Sequence, residues 1–332
     1  MQLLKVLILF VIFYCPSVVA KTHVVDKHKT GKNTFASIKT AVSKVETGDT
    51  IFINPGIYTE TNIILKEDIV IIGYDKTKVI LQASSISNVD AGRIFKIEAA
   101  TNIEIQNLTL SNGATKDFGG AIYTLGNIKL DNVIIKDCYA GASGGGIAVV
   151  NSFCEIVNTE ITNNYSKNDG GGIYLSGSNM KIMESVIYKN QATFHGGGIK
   201  SDNSALNADN TFIVENTAKK GGGIYTHLSG ASFFNVDFQE NGSDTTQGGS
   251  LYIFTLFEDA SVIINRCRIG DNLAKNDIVQ EAYNSKNYIF IEKTMYNKNK
   301  INKNKKSNGD CKVFYDGKDI FHLEPTISKK ED

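Results

Sequence analysis

The sequence predicts an all-β fold, a right-handed parallel β-helix with three short strands per coil and an N-terminal capping helix. A Gly-Gly-x-Ile motif runs from Gly119 to Ile122 and returns as Gly144 to Ile147, Gly170 to Ile173, Gly196 to Ile199, Gly221 to Ile224 and Gly248 to Leu251, with closing residues 25, 26, 26, 25 and 27 positions apart. A second marker, an apolar residue three positions before Asn, keeps nearly the same period at Ile161/Asn164, Ile187/Asn190, Ile213/Asn216, Phe238/Asn241 and Ile269/Asn272. The composition agrees: 30 Gly beside 3 Pro, with 42% hydrophobic residues, suits a turn-rich β protein with a substantial core.

The elements follow in chain order. Lys5, the apolar run Val6 to Phe13 and Val18-Val19-Ala20 have the layout of a secretory signal peptide over 1–20, cleaved after Ala20. Pro16 interrupts the run, which is short for a membrane span, and no later segment is apolar enough to cross as a helix. The opening segment 21–50 contains Phe35, Ile38, Ala41, Val42 and Val45 at helical spacing. Asn33 or Thr34 is the expected N-cap and Gly48 the stop, giving an amphipathic helix that plugs the solenoid end.

The β-helix itself is expected over 51–296. Ile51 to Ile53, Ile63 to Leu65, Ile69 to Ile72, Val79 to Leu81 and Ile94 to Leu110 read as less regular early rungs. In the regular repeats the alternation has period 2, as in Cys154-Glu155-Ile156-Val157. Aligning the repeats sends Val133/Ile135, Thr159/Ile161, Ser185/Ile187, Thr211/Ile213, Val236/Phe238 and Cys267/Ile269 inward. Ile134, Glu160, Val186, Phe212, Asp237 and Arg268 then face outward. A leucine-rich-repeat horseshoe has a similar period, but the five polar or small residues between Asn164 and Gly170 leave no room for a return helix.

Asn tolerates left-handed backbone, and its amide both donates and accepts along a stack. Asn164, Asn190, Asn216, Asn241 and Asn272 are therefore expected to form an internal ladder, with Cys138 and Gly113 at the equivalent earlier positions. After the last coil, 297–310 is an Asn/Lys-rich stretch expected to be flexible, followed by a tail over 311–332. Tyr288 to Ile291 and Val313 to Tyr315 look like strands closing the final coil.

Charge and cysteine usage narrow the function classes. Lys plus Arg and Asp plus Glu are each 35, so no basic footprint for nucleic acid exists. Cys138, Cys154, Cys267 and Cys311 remain after signal removal; the register places Cys154 and Cys267 about 19 Å apart, beyond disulfide reach, so buried free thiols are expected there. No CxxC, HExxH or clustered His supports a metal, and no cofactor motif is present.

With the motifs GGAI, GGGI, FQEN and IYKN quoted between Leu108 and Asn272, the sequence resembles the repeats of chlamydial polymorphic outer membrane proteins. Phe35 to Glu60, FASIKTAVSKVETGDTIFINPGIYTE, is similar to the opening of the wider pectin-lyase-like superfamily. The resemblance implies a parallel β-helix and a functional range from lyases, hydrolases and esterases to adhesins and passive scaffolds. Polymorphic membrane proteins carry a large C-terminal translocator barrel that this sequence lacks, so release or peripheral attachment at the cell surface is expected.

For catalysis, enzymes of this superfamily need a basic residue beside calcium-binding carboxylates, or several carboxylates on one face. Here the arginines are Arg93, Arg266 and Arg268, and the outward charges Glu104, Lys129, Glu155 and Lys181 alternate in sign. Asp237 and Arg268 read as a surface ion pair, and Asp169 and His195 show no array. No catalytic residue is assigned. The expectation is a secreted, surface-binding or adhesin-like protein whose partner is a polysaccharide or a surface protein; the alternative is a polysaccharide lyase or hydrolase. Tyr123, Tyr174, Tyr225 and Tyr252 each follow an inward Ile or Leu and form the candidate ligand-binding column, interrupted by Ala148 and Lys200. A second outward patch joins Val157, Met183 and Phe234 with Ile134, Val186 and Phe212, unless the segment from Tyr283 to Leu323 folds over it.

Overall fold

The computed structural model describes residues 20–28, 31–86, 91–243, 245–274, 276–296, 300–306, 310–315 and 318–319. Residues 1–19 of the expected signal segment and most of the expected tail lie outside them.

The chain winds as the parallel β-solenoid that the repeat period predicts. One coil runs through Phe153–Val157, Glu160–Thr162, Tyr165–Ser166 and Ile173–Ser176, and the next begins at Asn179–Met183, in register with the first through Cys154↔Met180. Among the described residues, stacking such coils builds a long sheet of 14 strands, a second and a third sheet of 10 strands each, and a narrow sheet of 4. The Gly-Gly-x-Ile segments supply the third sheet, for example Ile173–Ser176 beside Ile147–Val150 and Ile199–Asp202.

Alternation decides what is buried. Val133, Ile135, Thr159, Ile161, Ser185, Ile187, Thr211, Ile213, Val236, Phe238, Cys267 and Ile269 are all buried, as aligned from sequence. Each large apolar member of such a column contributes about 1.5–3 kcal/mol relative to exposure. Cys138, Cys154 and Cys267 are buried free thiols; the side chain of Cys311 lies outside the described residues. Outside, Lys129 Nζ meets Glu104 at 2.7 Å and Lys181 Nζ meets Glu155 at 3.8 Å, so the sign alternation neutralises itself in pairs.

The Asn ladder forms, but its backbone logic differs from the expectation. Left-handed φ belongs to the residue before each ladder Asn: Asn163 (53°), Lys189 (53°), Glu215 (53°), Glu240 (52°) and Asp271 (53°). The turn is made one position earlier, which leaves the following Asn pointing inward to hold its neighbours. The N–H of Cys138 donates to Asn164 Oδ1, that of Asn164 to Asn190, that of Asn190 to Asn216, that of Asn216 to Asn241 and that of Asn241 to Asn272. Another corner uses hydroxyls in the same way, with the N–H groups of Ser152, Ser178 and Ser204 donating to Ser178, Ser204 and Ser229.

The amphipathic capping helix is not what forms. Among the described residues the only helix is the five-residue Ile38–Val42, with Ser37 rather than Asn33 or Thr34 as N-cap. Phe35 is drawn instead into a parallel pairing with Val25, and Asp26 N–H donates to the Phe35 carbonyl. That pairing satisfies backbone groups which a longer helix would leave at its first turn.

At the other end, Lys286–Glu292 and Asp310–Tyr315 extend the long sheet, and Lys300–Lys306, within the stretch expected to be flexible, pairs with Asn276–Tyr283. These described segments continue the solenoid instead of folding back over the outer patch. In that patch Asp209 separates Met183 from Phe234, and Glu160 separates Ile134 from Val186.

Candidate functional site

The outward face of the third sheet gathers aromatic and titratable side chains on successive rungs. Its first column reads Tyr123, Ala148, Tyr174, Lys200, Tyr225, Tyr252, and the registers place them directly above one another. A second column, two residues on, carries Ser176, Asp202, His227 and Phe254. A third row comes from the turns before the Gly runs, where Asp169, His195, Lys220 and Gln247 pair in parallel bridges. Gly170, Gly196 and Gly221, at φ of 63°, 65° and 63°, let the chain turn immediately afterwards, which brings the preceding side chain alongside the sheet.

The four tyrosines share a column, but they do not share an environment. Tyr225 is 6% exposed and Tyr252 fully buried, stacked on each other with centroids 5.2 Å apart. Lys200 Nζ lies 4.6 Å from the Tyr225 centroid and Lys220 Nζ 4.7 Å from that of Tyr252, while the Tyr252 hydroxyl donates to Glu281. Neither ring has a face left for a ligand, so these two are corrected from ligand contacts to packing groups. Burial pushes both hydroxyls well above the usual tyrosine range. Tyr123 and Tyr174 are half-buried, and the gap over Ala148 is filled by Phe118, whose ring lies 6.3 Å from Tyr123 and 5.8 Å from Tyr174.

Beside this aromatic platform stand two Asp–His pairs on successive rungs. His195 Nδ1 donates to Asp169 Oδ1 at 2.8 Å, and His227 Nδ1 donates to Asp202 Oδ1 at 2.7 Å. Between the pairs sits Lys200, 4% exposed, with its Nζ 3.9 Å from Asp202. Burial holds the Lys200 ammonium below the ordinary lysine value, against the pull of Asp202 and Asp169. The His227 hydrogen bond holds Asp202 below the usual carboxylate range. Orienting a histidine through a carboxylate and desolvating a lysine are both ways of preparing acid–base groups.

The sequence reading aligned Asp169 and His195 with Phe118 without finding an array, took Lys200 only as a break in the tyrosine column, and missed Asp202 and His227. The signal was available in the repeat: Asp169 and His195 are 26 apart, and Asp202 and His227 are 25 apart, each one coil. Among the described residues, no group of three or more His, Cys, Asp or Glu converges to hold a metal, and no helix is long and apolar enough to cross a membrane.

The model of the Chlamydia polymorphic membrane protein (Chlamydia_PMP) repeat matches residues 158–176, from the corner before Ile161 to the end of a third-sheet strand. That segment is similar to the Chlamydia polymorphic membrane protein repeat. Within that repeat lie the ladder residue Asn164, the turn residue Asp169 and the platform residue Tyr174. Several solved structures are similar. The mannuronan C-5 epimerase AlgE4 A-module of Azotobacter vinelandii is 9% identical, with a TM-score of 0.43 over 85% of this chain and 93% of that one. Pectin methylesterase PemA of Erwinia chrysanthemi is 10% identical, with a TM-score of 0.36 over 84% and 92%. Pectate lyase Pel9A is 12% identical, with a TM-score of 0.38 over 77% and 80%. The fold assignment rests on the strand registers themselves.

Proposed function

We propose that this protein is a secreted, surface-associated β-solenoid that binds an extended polysaccharide along the outward face of its third sheet. One observation carries the reading: the half-exposed rings of Phe118, Tyr123 and Tyr174 form a continuous platform, bordered by Arg93 and Asp117 at one end and the Asp169–His195 pair at the other. Aromatic faces stack on sugar rings, and flanking charged groups hydrogen-bond hydroxyls or carboxylates. Because Tyr123 and Tyr174 sit on β strands and Phe118 on the tight turn before Gly119, binding needs little ordering. The Chlamydia polymorphic membrane protein repeat supports a surface location.

A second reading is lyase or hydrolase chemistry at the same face. It draws on Lys200, desolvated between two Asp–His pairs. A polysaccharide-binding screen run in parallel with a reducing-end release assay separates the two. Binding without release supports the binding reading, release supports the enzyme, and absence of binding to any polysaccharide rejects the glycan assignment.

A further inference from the structure

A different edge of the solenoid carries a chemically distinct set of side chains. At the corner between the long and second sheets, the left-handed position is Asn on five earlier rungs, Asn107, Asn132, Asn158, Asn210 and Asn235, and Glu184 on the rung between Asn158 and Asn210. The next two rungs place Arg266 (φ 54°) and Lys293 (φ 45°) there instead. Neighbouring rungs are about 4.8 Å apart. Arg268 leads the adjoining strand on the same rung as Arg266. Two of the chain's three arginines therefore meet at one edge of a protein with zero net charge.

The three arginines are not equally engaged. Arg93 faces Asp117 at 3.5 Å, and Arg268 faces Asp237 and Asp271 at 3.8 and 3.9 Å. Arg266 has no ion pair among the described residues; its guanidinium lies 5.3 Å from the Phe234 ring centroid. A guanidinium stacked on an aromatic ring keeps its edge donors directed outward, the arrangement that takes an oxyanion in two parallel hydrogen bonds. Arg266 borders a groove of about 390 Å³, also lined by Phe212, Asn235, Asp237, Arg268 and Lys293, which is room for such a group and part of its carrier. Phe212, 52% exposed, lines the groove, and Phe234, 40% exposed, carries the Arg266 guanidinium over its ring.

We infer that this edge binds the sulfate groups of a sulfated polysaccharide. A stiff chain bearing repeated anions matches cations fixed on successive rungs, and a sugar face matches the exposed Phe212 ring in the groove. The local backbone argues against an acidic peptide added as a strand: the N–H groups of Arg266, Arg268 and Asp237 already donate to Glu292, Val236 and Thr211. Glu184, Asp209 and Asp237 along the same edge oppose a broad anionic membrane surface.

The test is binding of a heparin oligosaccharide at physiological salt. Arg266→Asn restores the residue that the solenoid uses at this corner elsewhere, so the fold is kept. Arg266→Asn with Arg268→Gln is expected to weaken binding by about tenfold or more. Lys129→Gln with Lys181→Gln, which removes the same charge from another face, is expected to leave it unchanged. Should the corner variant melt early, Arg268→Gln alone serves as the reading. Absence of heparin binding, equal loss in both double variants, or equal competition by desulfated heparin, polyglutamate or phosphatidylserine vesicles overturns the proposal. The platform variants at Phe118 and Tyr174 are expected not to alter heparin binding, which separates this site from the third-sheet face.

Discussion

Asn216 Oδ1 accepts two hydrogen bonds from the same neighbour, the Asn190 backbone N–H at 2.9 Å and its side-chain amide at 3.1 Å. Asn190 repeats the act one rung earlier, accepting the N–H and side-chain amide of Asn164 while donating to the Ile161 carbonyl. Each ladder residue thus serves three coils in a site closed to water.

Asn190→Ala is expected to lower stability by about 1–3 kcal/mol, because it leaves buried groups on both neighbouring rungs without partners. Asn179→Ala, at an exposed strand start, should stay within about 0.5 kcal/mol. Urea denaturation of the two variants checks this. Equal midpoints would contradict the ladder.

Gly171 is required by close approach. A Cβ there would collide with the Gly197 carbonyl oxygen and the backbone of Gln191, none of which is a side chain that can swing away. Gly171→Ala is expected to cost about 1–3 kcal/mol or more. Gly230, where the nearest atom to a new Cβ is 3.9 Å away, should accept Ala with little change. Thermal melts of the pair decide the matter.

For ligand binding, Phe118→Ala with Tyr174→Ala should weaken a bound polysaccharide by about 1 kcal/mol or more, the scale of a lost aromatic contact. Tyr225→Phe should leave affinity unchanged, since that ring is covered by Lys200, Tyr252 and His195. Calorimetric titration with unchanged circular dichroism provides the comparison. Stronger loss at Tyr225 would return the site to the covered half of the column.

Lys200 gives the solenoid an alkaline signature. Its value in the folded state is depressed below 10.5, chiefly by burial, so the cost of the buried charge is fully present at neutral pH and is relieved as pH rises through the window below 10.5. Lys200→Met is therefore expected to raise the melting temperature near neutral pH, with the advantage shrinking as pH approaches about 10. A pH series of melting curves tests the sign; an advantage that grows with pH would refute it.

Burial pushes the Cys138 thiol up to about 12 and the Cys267 thiol up to about 11, and raises Cys154 further. All three should resist alkylation in the native protein and react on unfolding, because the thiolate is the reactive form. Peptide mapping after iodoacetamide treatment reads this directly. Native labelling of any of them would show that its rung opens.

The periodic spacing of Gly-Gly-x-Ile and of the Asn column was sufficient to define the coil, its parallel register and the direction of nearly every side chain from Val133 to Ile269. A repeat that pairs with itself leaves one register that keeps the apolar set inside. The short helix was harder to read: Phe35 fits a helical stripe and a strand pairing equally well, and the partner that decides, Val25, lies in a separate segment. Exposure of the outward residues was not legible in the sequence at all. Tyr174 and Tyr225 occupy the same repeat position and point the same way, yet Tyr225 is closed over by His195 and Lys200, while Tyr174 keeps part of its ring open beside Phe118. Backbone periodicity fixes where a side chain points, but what covers it comes from turns and rungs some 25 residues away. Only their packing in three dimensions determined which tyrosines keep an exposed ring, which Asp and His pair, and which arginine stacks on an aromatic ring.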